Sequence, residues 1–154
     1  MKTSQNGIEL IKKFEGFSAT PYFCPAHKLT VGYGHVIVMR EKFSAQGISL
    51  QEAEILLKQD VSVAEQAIER LVVCELLQNQ FDALVSFIYN IGTKAFEKSR
   101  LSRLLRENRQ AQAANEFPKW IYAGGAVQNG LIKRREAEKG LFLFPALSGD
   151  LVIN

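Results

Sequence analysis

Four side chains capable of acid, base or nucleophilic chemistry fall within a short N-terminal stretch: Glu15, Cys24, Thr30 and His35. Glu15 ends a segment with helical periodicity. A carboxyl at a helix C-terminus sits beside the negative end of the dipole, and partial burial adds a second reason to keep its proton, which is what a general acid requires. Cys24 and Thr30 flank the turn-forming run Pro25-Ala26-His27-Lys28. A two-stranded hairpin around that turn would put both side chains on one face, across a gap from Glu15, where they could hold a water molecule. The plainer reading stands beside this one: a Glu at a helix end, a packed Cys and a strand Thr are ordinary structural residues. His35, after Gly32-Tyr33-Gly34, reads as a hydrogen-bonding residue that locks the sheet to the rest of the molecule, and His27 reads as an exposed turn residue.

The elements that must carry these groups follow from periodicity and caps. Ile8, Ile11 and Phe14 recur every three residues through Ser4 to Glu15, with Gly16 as the stop. Residues 17 to 38 change to Gly, Pro, Thr, Val and aromatic residues, which predicts a hairpin or three short strands. Ser49-Leu50-Gln51-Glu52 has capping-box spacing and opens a run of apolar residues to Leu71. That run predicts a bridging helix of about twenty residues, about 30 Å long. Gln78 to Ile91 is apolar on most sides and should form the centre of a C-terminal lobe, with Gly92 as its cap. Helices are then expected at about 96–107, 109–116 and 131–141, with no second sheet. Trp120 is read as core packing. The fold class is α+β, mainly α: a small N-terminal β-sheet lobe, a bridging helix and a C-terminal helical lobe.

The residues around the reactive positions, Phe14-Glu15-Gly16-Phe17, Pro21-Tyr22-Phe23-Cys24-Pro25-Ala26 and Leu29-Thr30-Val31-Gly32-Tyr33-Gly34-His35, closely resemble the phage-type lysozymes, the endolysins of glycoside hydrolase family 24. Their signature is a Glu, eight residues, an Asp or Cys, five residues and a Thr, and Glu15, Cys24 and Thr30 meet both spacings. The resemblance continues through Gln80 to Phe87, Tyr89-Asn90-Ile91-Gly92, Trp120 and Gly130 to Glu138, and fades after Phe144. It implies a two-lobed lysozyme-like fold in a single domain over 1–154, with a β-containing lobe at about 15–60 and a helical lobe at about 70–145 plus the N-terminal helix.

The activity implied is hydrolysis of the β-1,4 bond between N-acetylmuramic acid and N-acetylglucosamine in peptidoglycan. Glu15 would be the general acid, Cys24 and Thr30 would position the attacking water, and Tyr89, Asn90 and Val36 would line the sugar cleft, with His35 structural beside it. Cys24 departs from the members that carry Asp, so inversion with a held water and retention through a thioglycosyl bond both stay open, with inversion favoured. No cofactor or metal is implied. The resemblance further implies synthesis in the host cytoplasm, action in the periplasm after release by a holin, a monomeric state, and neither a nucleic-acid partner nor stable membrane insertion. The competing functions are a lytic transglycosylase and a non-catalytic wall-binding module.

Composition agrees with a globular enzyme. The 154 residues are 47% hydrophobic and 23% charged, which excludes disordered, fibrous and membrane-spanning classes, and the N-terminus lacks the pattern of a secretory signal. Cys24 and Cys74 fit neither a metal spacing nor a disulfide framework and are expected as free thiols. The formal charge is only +3, yet residues 94–140 carry eleven Lys/Arg against five Asp/Glu. That asymmetry favours an anionic partner or a solvated basic surface. Arg134-Arg135, interleaved with Glu136 and Glu138, is read as a salt-bridged helix segment or a contact for wall and lipopolysaccharide phosphates, in preference to nucleic acid.

Overall fold

The computed structural model describes residues 1–144. The expected extension of the domain to residue 154 lies outside the described residues. Helix α1 spans Gln5–Glu15, opened by Ser4, whose side chain accepts from the Gly7 N–H, and closed at Gly16, whose φ of 66° suits a residue without Cβ. It buries Ile8 and Ile11 on one side. The chain then forms a three-stranded antiparallel sheet from β1 (Ser18–Phe23), β2 (Leu29–Gly32) and β3 (His35–Val36), in that order. The β1–β2 turn passes through His27, exposed and with φ of 57°.

Helix α2, Leu50–Leu71, carries the predicted capping box: Ser49 accepts from Glu52 N–H and Glu52 accepts from Ser49 N–H. Its apolar side meets both the sheet and the C-terminal helices, as a bridging element must. Helix α3, Gln78–Ile91, is buried from Phe81 through Ile88 without a break. It packs on α1 and α2, and on α4 and α7, which span Thr93–Lys98 and Asn129–Leu143. The periodicity of 78–91 therefore located the centre of the helical lobe correctly.

Three expectations are corrected. The single helix predicted over 96–107 is two, α4 and α5 (Arg100–Arg106), because Ser99 is extended: its hydroxyl donates to Phe96 O at 2.7 Å and accepts from Ser102 N–H at 3.0 Å. One serine thus ends one helix and caps the next. The helix predicted at 109–116 shortens to α6, Gln110–Ala114, followed by a 3₁₀ turn at Phe117–Lys119 that accommodates Pro118. A second small sheet, β4 (Tyr122–Ala123) paired with β5 (Ala126–Val127), occupies ground expected to be helical or loop. Gly124 and Gly125, at φ of 60° and 77°, supply the two left-handed residues of a tight hairpin turn.

Candidate active site

The C-terminus of α1 presents Glu15 to the turn between β2 and β3. A Cβ placed on Gly34, itself at φ of +80°, would lie 2.6 Å from Glu15 Oε2. The carboxyl therefore rests against bare backbone, and only glycine fits both the dihedral and the space. Its other oxygen, Oε1, accepts from Arg134 Nη1 at 2.6 Å. The carboxyl is fixed between a glycine turn and a guanidinium instead of standing free in the groove.

Arg134 is in turn held from behind. Its Nε donates to Glu138 Oε1 at 3.1 Å and its Nη2 to Ser86 O at 3.1 Å. Arg135 Nε lies 2.8 Å from Glu138 Oε2, and its Nη2 donates to Asn90 Oδ1 at 2.9 Å while its guanidinium lies over the Phe87 ring. Both arginines and Glu138 are buried. This overturns the reading of Arg134-Arg135 as a contact for wall or lipopolysaccharide phosphates, since neither guanidinium reaches the surface. The salt-bridged alternative holds, at i,i+3 and i,i+4 spacing to Glu138. That spacing was the available sequence signal; that the network continues to Glu15, 119 positions away, was not legible.

Thr30 sits in β2, 3% exposed, and its hydroxyl donates to Lys28 O at 2.8 Å. Cys24 follows β1 at the turn, where its N–H donates to Lys28 O at 2.9 Å. It is half-buried there and is not among the residues of the main hydrophobic core. The backbone N–H of Lys28 is the main reason the Cys24 thiol titrates below the ordinary thiol range. Partial burial opposes the shift, and the Ala26 N–H, the Thr30 hydroxyl and the Lys28 ammonium reinforce it. Cys24 and Cys74 are both free thiols.

The remaining predicted site residues divide. His35 is buried, with Nδ1 2.7 Å from Asp60 on α2 and Nε2 3.0 Å from Glu41, so it ties the sheet and the following loop to the bridging helix as the sequence suggested. Burial works against the charged ring, yet the hydrogen bonds to Asp60 and Glu41 outweigh it and raise the His35 imidazole above its ordinary value. Tyr89 is partly buried and its hydroxyl donates to Tyr33 O at 2.7 Å, joining α3 to the β2–β3 turn. Asn90 is exposed on one side and spends its side-chain carbonyl on Arg135. Val36 is 42% exposed on β3. Trp120 packs edge-on to Phe87 at 5.7 Å, as expected of a core residue. Two hollows, of about 680 and 510 Å³, are lined by Cys74, Leu76 and Gln110 and by Lys98, Glu116 and Trp120 respectively, and neither is lined by Glu15, Cys24 or Thr30. Among the described residues no three His, Cys, Asp or Glu side chains are grouped to hold a metal.

The sequence pattern of the family described as phage lysozyme matches residues 12–138. The chain belongs to the phage lysozyme family. Among curated relatives it is 46% identical over 145 residues to the endolysin of Bacillus phage B103, covering 93% of this chain and 54% of that protein. It is 37% identical over 145 residues to the endolysin of Salmonella phage P22, covering 93% of this chain and 99% of that one. The chain thus spans about half the length of the Bacillus phage relatives and nearly all of the P22 protein. Among solved structures, the muramidase domain of SpmX from Asticaccaulis excentricus superposes with a TM-score of 0.84 at 38% identity, covering 94% of this chain and 99% of the other. P22 lysozyme superposes at 0.81 with 36% identity, covering 94% and 99%. The lysozyme-like α+β fold inferred from the sequence is therefore correct. Among the described residues no helix is long and apolar enough to cross a membrane.

Proposed function

We propose that this phage lysozyme is an endolysin that hydrolyses the β-1,4 bond between N-acetylmuramic acid and N-acetylglucosamine in peptidoglycan. The observation that carries the reading is the fixed placement of the Glu15 carboxyl against Gly34, at the β2–β3 turn of the sheet that bears Thr30 and whose first strand leads into Cys24. Glu15 in its acid form gives its proton to the departing glycosidic oxygen, and Arg134 steadies the carboxylate that remains. A water held at Cys24 and Thr30 attacks the anomeric carbon and passes its proton to the sulfur. The lowered thiol supplies thiolate for that step at a pH where an ordinary cysteine would not.

The same lowered thiol favours a second reading, in which the Cys24 thiolate attacks the anomeric carbon directly and water later cleaves the thioglycosyl bond. The configuration of the first-formed product, followed by nuclear magnetic resonance, separates the two. Inversion is expected, and retention would transfer the role of Cys24 from holding water to covalent attack. Mass spectrometry of released muropeptides tests hydrolysis itself: reducing ends are expected, and 1,6-anhydro ends would identify a lytic transglycosylase. A turbidity assay on outer-membrane-permeabilised cells disposes of the wall-binding alternative if clearing is seen. The chain acts as a monomeric single domain on periplasmic peptidoglycan and depends on a holin for access. The lysozyme resemblance supports these last assignments.

A further inference from the structure

Tyr22 is the Cα partner of Thr30 across β1 and β2, and Thr30 is the partner of Val36 across β2 and β3. Residues directly opposite in antiparallel strands project to one face, so Tyr22, Thr30 and Val36 form a single row across the sheet. Cys24 lies two residues beyond Tyr22, and the pairing continues through it, with its N–H donating to Lys28 O, so it follows on the same side. The accessibility along this row is uneven. Tyr22 is 39% exposed, whereas Thr30 is almost fully covered.

The hydroxyls and amides nearby are mostly committed. Thr30 donates to Lys28 O, Tyr89 donates to Tyr33 O, and Asn90 accepts from Arg135. No hydrogen bond among the described residues uses the Tyr22 hydroxyl. Burial pushes the Tyr22 phenol up, and the charges of Glu15 and then Cys24 push it further. The phenol therefore stands within electrostatic reach of both reactive groups and keeps its proton across the neutral range.

We propose that Tyr22 is a further substrate-contacting residue of this cleft, its hydroxyl donating a hydrogen bond to an oxygen of the amino-sugar ring held between Glu15 and the Cys24–Thr30 pair. The proposal rests on the hydrolase reading above. A neutral donor suits this place because it fixes the ring without adding a cation that would compete with Arg134 for Glu15. Its exposed ring also offers an apolar face to the sugar.

Tyr22→Phe keeps the ring and the strand and removes only the donor. Its kcat/KM on soluble peptidoglycan fragments should fall about three- to tenfold, as expected for one hydrogen bond, with an unchanged melting temperature. In the Glu15→Gln background, where turnover is blocked, a calorimetric titration with a purified muropeptide should show weaker binding when Tyr22→Phe is added. A wild-type rate and unaltered muropeptide binding overturn the proposal. So does a rate loss matched by a lower melting temperature, which would make Tyr22 a structural residue. Activity of Glu15→Gln alone keeps the two failures apart: if that variant clears walls like the wild type the hydrolase reading fails, whereas an inactive Glu15→Gln beside a fully active Tyr22→Phe sinks only the role of Tyr22.

Discussion

The acid role proposed for Glu15 needs a carboxyl held in one direction, and this carboxyl is held by Arg134 on one oxygen and by the Gly34 backbone against the other. Glu15→Gln preserves size and removes the transferable proton, so turbidity clearing should fall by about 10² to 10⁴ while thermal unfolding stays near that of the wild type. Cys24→Ser is the more informative change. A serine hydroxyl can still hold the water but takes no proton at neutral pH, so activity should drop yet stay well above that of Glu15→Gln; a loss as complete as in Glu15→Gln would contradict positioning. The pH dependence carries a definite sign. Sulfur accepts a proton only as thiolate, so on the proposed mechanism this step should weaken as pH drops through the lowered thiol pKa. Serine has no such titration, so the ratio of wild-type to Cys24→Ser rates should shrink toward acid pH in a pH–rate profile. The spacing of Glu15, Cys24 and Thr30 was readable because all three lie in one continuous stretch. Tyr22 was missed because its row is defined by strand register, and Arg134 because its partner is remote in the chain.

The β2–β3 turn and the His35 clamp position the proposed site through elements that are short by themselves. Gly34→Ala imposes a left-handed backbone on a residue with Cβ and drives that Cβ into Glu15 Oε2. Gly92, at φ of +88° with open space around it, provides the control for backbone strain alone. Both alanine variants should lose about 1 to 3 kcal/mol of stability, but only Gly34→Ala should lose more than tenfold in specific activity, as measured on folded protein. The clamp at His35 predicts a pH-dependent stability. Its folded value is raised above 6.5, so the stabilisation is full below that pH and is lost as pH rises through the folded value. The neighbours divide: burial raises the Asp60 carboxyl, while the Val38 N–H and then His35 lower that of Glu41. The window near neutrality therefore belongs to the histidine. Melting temperatures of wild type and His35→Gln should differ most on the acid side of about 6.5 and converge as pH rises through the raised value; a constant difference would show that the charge on the ring is immaterial. The histidine's structural role was visible from its place after Gly32-Tyr33-Gly34, yet both carboxylate partners came only with the packing of α2 and the loop after β3.

Across the molecule, α3 and α7 are joined by a buried ionic network in which Glu138 faces two guanidiniums and accepts from Ser86. Glu138→Gln leaves two buried cations without their shared anion, which should cost about 3 to 5 kcal/mol. For a chain of this length that lowers the melting temperature by on the order of 10 °C, measured by calorimetry, and loosens the support behind Glu15. The N-terminal segment is clipped in the same manner: Thr3 N–H donates to Glu65 of α2 at 2.8 Å and Ser4 N–H to Asp82 of α3 at 2.9 Å. The network also revises the meaning of the basic C-terminal third. Arg134 and Arg135 are internal and compensated, so the surface there is less positive than the linear count suggested.

The first three helices, the capping box at Ser49, the stop at Gly16, the small β lobe and the spacing of Glu15, Cys24 and Thr30 were legible along the chain, because each depends on residues within a few turns or one hairpin of one another. The division at Ser99, the Gly124-Gly125 hairpin, the wall that Gly34 forms for Glu15 and the Arg134 tether came from folding. In the first two the local signals existed but competed with helical periodicity. In the last two the interacting atoms meet only after α1, the sheet and α7 have packed, and no spacing along a chain encodes the angle at which separate elements cross.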